Sequence, residues 1–307
     1  VADALDRAVV AARKTQNAEA EGATLNDIGL LALEAGEIEV ARRHFHLATY
    51  LAQSARSAQG EETSLCNMAR LEIMAGDINS GIAHYQTVLR MTTESGHVHL
   101  RASVMQRLAD IFRGRRDYDK AISNYHSALL MDEEIGHRNG QVAAMVGLSV
   151  TYLMRDSRDD CLVAEDYGRR AVESIPPVAD PDLERRARLA CAEALLRVAK
   201  PDEAVPQTAR AVAVARESRA AEGEAAALDL HARALLASGR RPDAAEAWEQ
   251  CAAIHRDRSD AQRLALVEDR LAHLAAMPDD VPAAREGAQP HLRRGAKNPA
   301  ESGAESH

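Results

Sequence analysis

Leu108-Ala109-Asp110-Ile111-Phe112, then Asp117-Tyr118-Asp119-Lys120-Ala121-Ile122, then Tyr125 and Ala128-Leu129, is the stretch whose reading decides the fold. Apolar and small side chains recur three and four apart on either side of Arg115-Arg116-Asp117, which is the spacing of one face of an α-helix. The stretch therefore reads as two helices joined by a tight turn.

The same pattern returns along the chain. A small residue in the first helix of each unit falls at Gly29, Ala69, Ala109, Ser149, Ala192, Ala232 and Ala272, forty residues apart except for one step of forty-three. A second series, Ala8, Ala48, Val88, Ala128, Ala171, Ala211 and Cys251, repeats those steps in the second helices. A third set, Ala41, Gly81, Ala121, Ala164, Ala204 and Ala244, follows the turns. Bulky rings stand four residues later at Phe45, Tyr85, Tyr125 and Trp248. Antiparallel helices approach closely only where side chains are small, and one ring then fills the groove between them. The pattern predicts an all-α stack of helical hairpins.

Composition agrees. Hydrophobic residues make up 46% of the 307, but aromatics only 3%, with Ala and Leu supplying most of the apolar count. Helix formers dominate, and no alternating β-branched runs predict strands. A formal charge of −9 argues against a nucleic-acid surface and predicts no direct nucleic-acid binding. No stretch approaches eighteen consecutive apolar residues, and the start has no secretory pattern, so no membrane role and a cytoplasmic location are expected. Cys66, Cys161, Cys191 and Cys251 are widely spaced, which predicts reduced thiols rather than a disulfide framework or a zinc site.

Catalytic signatures are missing. There is no phosphate-binding glycine loop, no Gly-x-Ser-x-Gly elbow and no His-Glu-x-x-His pair. His44 with His46, and His97 with His99, stand two apart, which on a helix points them to different faces. No catalytic residue, no metal and no cofactor are expected.

These units resemble the tetratricopeptide repeat in its forty-residue variety, and Glu134-Ile135-Gly136-His137-Arg138-Asn139-Gly140 looks like the linking turn of that variety. Similar repeats occur in kinesin light chains, Gα-regulator scaffolds and the C-terminal sensor regions of actinobacterial SARP and STAND-type transcription regulators. The resemblance spans residues 1–277. It implies a right-handed α-α superhelix of about six hairpins, flanked by a partial N-terminal helix and a C-terminal capping helix.

On this frame, residues 1–17 read as the second helix of a truncated repeat. The repeats fall at 22–57, 62–96, 99–135, 140–175, 181–217 and 221–257, a capping helix at 261–277, and a disordered tail at 278–307. The start at Val1, inside a repeat, predicts a piece of a longer protein. Asp156-Ser157-Arg158-Asp159-Asp160-Cys161 is expected to lengthen the turn of repeat four, and Pro176-Pro177 to stop its second helix.

The resemblance further implies that the first helix of each hairpin lines a concave channel that binds a protein or peptide. The inward residues are then Asn26, Asp27 and Leu30, then Asn67 and Arg70, then Gln106, Arg107, Asp110 and Arg113, with Val150 and Met154 on an apolar floor that also includes Val146 and Gly147. In related repeats an Asn at the place of Asn67 clasps a peptide backbone, since an amide both donates and accepts. Arg107 with Arg113 would take a carboxylate unless Asp110 engages them. The carboxylate clasp of co-chaperone repeats is not reproduced, because Asn26 and Leu30 stand where it needs Lys and Asn. The expected function is a protein-interaction module, the sensor part of a multidomain bacterial transcription regulator, whose partner includes other domains of the same parent chain. A free-standing scaffold and a signalling-peptide receptor are the alternatives.

Overall fold

The computed structural model describes residues 7, 10, 13, 14 and 17–277. The expectations for residues 1–17 as a helix and for the 278–307 tail lie outside the described residues, apart from these few positions. Thirteen helices and no strands occur among the described residues. They are α1 (Ala18–Glu34), α2 (Ile38–Ser54), α3 (Ala58–Met74), α4 (Ile78–Ser95), α5 (Val98–Gly114), α6 (Tyr118–Glu134), α7 (Arg138–Arg155), α8 (Arg158–Glu173), α9 (Pro181–Arg197), α10 (Pro201–Glu217), α11 (Ala221–Ala237), α12 (Arg241–Asp257) and α13 (Ala261–Ala276). The chain divides into two compact units, Val1–Ala194 and Leu195–His307.

Local chemistry sets where each helix starts and stops. Side-chain oxygens of Asn17, Ser57, Asp77, Asp117 and Asp260 each accept a backbone N–H of the first turn. Except at α8 and α13, ends are made by a residue with left-handed backbone. In α5 this is Arg116, with φ of 61°, and there the Asp117 N–H donates to Phe112 O at 2.9 Å and the Arg116 N–H to Arg113 O at 2.9 Å. Glycine takes that place at Gly36 and Gly76, where positive φ carries no Cβ penalty. Arg56, Ala199, Arg219 and Ser259 adopt it without glycine's freedom.

The turn of the fourth hairpin is not lengthened. Only Asp156 and Ser157 separate α7 from α8. Asp156 takes the left-handed conformation with φ of 59°, and Ser157 with Asp160 forms a reciprocal capping box. The additional residues are helical: α8 begins six residues before its buried Ala164, where α6 begins three before Ala121. A strong cap starts the helix early, so an insertion that reads as loop becomes an extra turn. The seven residues 174–180, with Pro176 and Pro177, connect α8 to α9.

In the first unit the small residues form the seams between helices. Ala41, Ala48, Ala69, Ala109, Ala121, Ala128, Ser149, Ala164, Ala171 and Ala192 have no exposed surface. Phe45, Tyr85 and Tyr125 are buried in successive clusters, each joining one hairpin to the first helix of the next: Phe45 with Met68 and Leu71, Tyr85 with Val104 and Leu108, Tyr125 with Val142 and Met145. Burying each ring removes an area worth about 3 kcal/mol or more from water.

Polar pairs also cross the junctions. Glu62, fully buried in α3, accepts from Ser95 Oγ at 2.7 Å and contacts His97 Nδ1 at 2.6 Å. Asp132, 1% exposed in α6, contacts His137 Nδ1 at 2.9 Å. His97 and His137 stand forty residues apart and precede α5 and α7.

In the second unit Ala204, Ala211, Ala232 and Ala244 are fully buried and Trp248 is 3% exposed, its indole N–H donating to Asp229 Oδ1 at 3.0 Å. Ala272 breaks the series. It is exposed, and α13 buries only Val267 and Leu274, because no described helix packs on its outer side.

Candidate partner-binding channel

Within the first unit, α1, α3, α5 and α7 are the first helices of their hairpins, and their polar faces carry the residues singled out above. On α1, Asn26 is withdrawn from solvent at 5% exposure. Its Nδ2 donates to Ser64 Oγ at 2.9 Å, and its Oδ1 accepts from Asn67 Nδ2 at 3.2 Å. Both amides thus serve the junction between hairpins, and a partner would meet only the half-buried Asn67, through its oxygen and its second N–H. Asp27 is exposed, while Leu30 packs against the Phe45 cluster. Arg70 is exposed on α3.

Arg107 and Arg113 do not act as a pair. Arg113 Nη2 donates to Asp110 Oδ1 at 2.7 Å, and the Tyr125 hydroxyl donates to the same oxygen at 2.5 Å. Asp110 is therefore committed to its own helix and to α6, and Arg107 stays exposed beside it. Gln106 Nε2 donates to Asp132 Oδ2 at 2.9 Å and to Gly140 O at 3.1 Å. A side chain at residue 140 would overlap the Asp132 carboxylate, so glycine is what admits this bond.

These residues line a cleft of about 150 Å³ bounded by Ser103, Gln106, Arg107, Asp110, Tyr125, Ala143, Gly147 and Arg186. A second cleft of about 260 Å³ shares Ser103, Gln106, Ala143 and Arg186 and extends past His99, His137 and Asn139. Together they form a groove across α5, α7 and α9. Gln106, Arg107, Asp110 and Gly147 meet there; Asn67, Arg70, Val150 and Met154 do not line it. Val150 packs against the Tyr125 cluster, Val146 is buried, and Met154 is 45% exposed.

Sequence reasoning missed Ser103, Ala143 and Arg186. The signal was in the repeat frame, because each stands six residues before its unit's small residue, Ala109, Ser149 and Ala192. The forty-three-residue step obscured that equivalence for Arg186.

The groove is lined by hydrogen-bonding groups, among them the Asp132–His137 pair at 2.9 Å. Burial and the adjacent Asp110 push the Tyr125 phenol far above its ordinary value, and burial raises Tyr85 to about 12, so both rings remain neutral. Burial likewise raises the Cys66 thiol to about 12. No group of three His, Cys, Asp or Glu side chains suited to a metal ion occurs among the described residues, and no described helix is long and apolar enough to cross a membrane.

A stack of antiparallel hairpins with small-residue seams and a polar groove across its first helices is the architecture of tetratricopeptide-repeat proteins. The tetratricopeptide repeat family model matches residues 60–133, which span α3 to α6. Among solved structures, the chain is similar to BtubC (BKLC) from P. vanneervenii at 18% identity and a TM-score of 0.62, covering 71% of this chain and 90% of that one. It is similar to a STAND signal-transduction ATPase with a tetratricopeptide repeat sensor from Pyrococcus horikoshii at 12% identity and a TM-score of 0.63, covering 82% of this chain and 38% of that protein. A Rap protein complexed with competence and sporulation factor aligns at 14% identity and a TM-score of 0.58, covering 83% and 75%. No curated protein sequence matches the chain. At these identities the likeness is one of fold.

Proposed function

We propose that this chain is a protein-interaction module, not an enzyme, and that the groove across α5, α7 and α9 holds an extended segment of a protein partner. The observation that carries the reading is the groove itself, an open cleft across three first helices lined by amides, hydroxyls, imidazoles, carboxylates and guanidinium groups. Asn67 extends the polar face onto α3. The net charge of −9 speaks against nucleic acid as the partner.

The host we favour is the sensor end of a multidomain bacterial transcription regulator acting in the cytoplasm. The fold likeness to a repeat sensor carried on a STAND ATPase supports this, and other domains of the parent chain would then be partners. A signalling-peptide receptor is the second reading, supported by the likeness to a Rap protein in complex with competence and sporulation factor.

Selection of a randomised decapeptide library on the full chain tests the groove. Ala143→Trp, which would fill it, should abolish binding of the selected peptides, while Tyr50→Ser on the exposed face of α2 should leave binding intact. Peptides that bind Ala143→Trp as tightly as the parent would show the groove is not the site.

A further inference from the structure

Arg107 on α5 and Arg186 on α9 line one cleft, and neither has a hydrogen-bond or ion-pair partner among the described residues. That freedom has a structural cause. Asp110, the carboxylate on the same wall, already accepts from Arg113 at 2.7 Å and from the Tyr125 hydroxyl at 2.5 Å. Asp132 is occupied by Gln106 and His137, and Asp180 at the rim accepts the Asp182 N–H at 3.3 Å. Every acid at the cleft is therefore engaged, while two guanidinium groups are not. In a chain with nine more acids than bases, these two guanidinium groups stand without an acid partner among the described residues.

We infer that this cleft is a carboxylate subsite, in which Arg107 and Arg186 together bind one carboxylate of the partner segment. The inference rests on the groove reading above and assigns the ligand's chemistry. Guanidinium groups bind carboxylate through paired N–H donors, and a half-enclosed cleft strengthens such bonds relative to open solvent. Ser103 lies on the wall as a further donor, and the Tyr125 ring forms the floor against Gly147, where any side chain would overlap it. The anion assigned is a carboxylate, because that is the anion a polypeptide segment carries in its own acidic side chains and chain end. Arg186 stands in the second turn of α9, which begins at Pro181 after the 174–180 connection that carries Pro176 and Pro177.

The test uses the full chain and fluorescein-labelled decapeptide pools whose positions are uncharged except for a central Glu, Gln or phosphoserine, all C-terminally amidated. A fourth, wholly uncharged pool keeps a free C-terminal carboxylate. Anisotropy should show the Glu pool, or the free-carboxylate pool, binding about tenfold more tightly than the Gln pool. Which of the two does so tells a side-chain acid from a chain end. Arg107→Gln and Arg186→Gln should each remove the advantage, Arg90→Gln on the exposed face of α4 should keep it, and helical circular dichroism should be unchanged in all three. Tighter binding by the phosphoserine pool, equal binding of Gln and Glu, or an advantage that survives both arginine substitutions overturns the carboxylate assignment. In those cases, residual binding that Ala143→Trp abolishes leaves the groove reading standing. Binding indifferent to Ala143→Trp, or no binding by any pool, overturns both.

Discussion

Gly29 and Phe45 occupy one shared volume: a methyl group at residue 29 would overlap the Phe45 ring, which itself has no exposed surface. The hairpin of α1 and α2 closes because one partner has no side chain and the other has a large one. Phe45→Ala is therefore expected to cost about 3–5 kcal/mol, and Gly29→Leu to be destabilising through overpacking. Urea unfolding followed by circular dichroism measures both, and a loss near zero for either would show that the ring does not fill the groove.

The bond between Asn67 and Asn26 ranks two substitutions. Asn26→Ala leaves the Ser64 hydroxyl and the Asn67 amide without their buried partner and should cost about 1–3 kcal/mol. Asn67→Ala removes a half-buried amide whose place water can take, and should cost about 1 kcal/mol or less. Melting temperatures that reverse this order would refute the assignment of Asn26 to the junction.

Burial lowers the pKa of His84, His126 and His231 below 6.5, helped by Arg170 at His126 and by Arg240 at His231. The folded chain resists protonation that the unfolded chain accepts, so the unfolded state binds more protons as pH falls through 6.5. Stability should accordingly be full above that pH and decline below it. His231→Gln can keep the contact with Thr208 Oγ1, at 2.8 Å in the parent, while removing one titrating group. Melting temperatures from pH 7.5 to 5.0 should fall less steeply in this variant, and an unaltered slope would sink the claim.

Thiol reactivity offers a separate check. Cys66 is raised to about 12 and Cys251 to about 11, both by burial first. At pH 8 both should be alkylated by iodoacetamide far more slowly in the native chain than in guanidinium chloride, as read by peptide mass spectrometry. Rapid native labelling of Cys251 would contradict its packing.

The fold was legible because its determinants are local and repeated. Ala41, Ala121 and Ala244 stand where a forty-residue interval puts them, and all three are fully buried. The site was less legible, because whether a polar side chain is free depends on neighbours far along the chain. Asn26 reads as channel-facing until Ser64 and Asn67 are brought against it, and Arg113 reads as available until Asp110 takes it. Arg186 lay hidden behind the irregular fourth hairpin. The turn at Asp156 and Ser157 was misjudged because charge and serine suggest loop, while a serine followed three residues later by Asp160 starts a helix.

The junctions of the first unit share apolar seams but not one polar pairing: Asn26 meets Ser64 where α1 faces α3, while the histidines before α5 and α7 each meet a buried acid, Glu62 for His97 and Asp132 for His137. The two acids come from different helices, α3 and α6, so equivalent histidines are answered from different places. Excising one forty-residue module would keep greasy surfaces matched while taking a buried acid or its histidine away from the other. The order of modules is to that extent written into their ends.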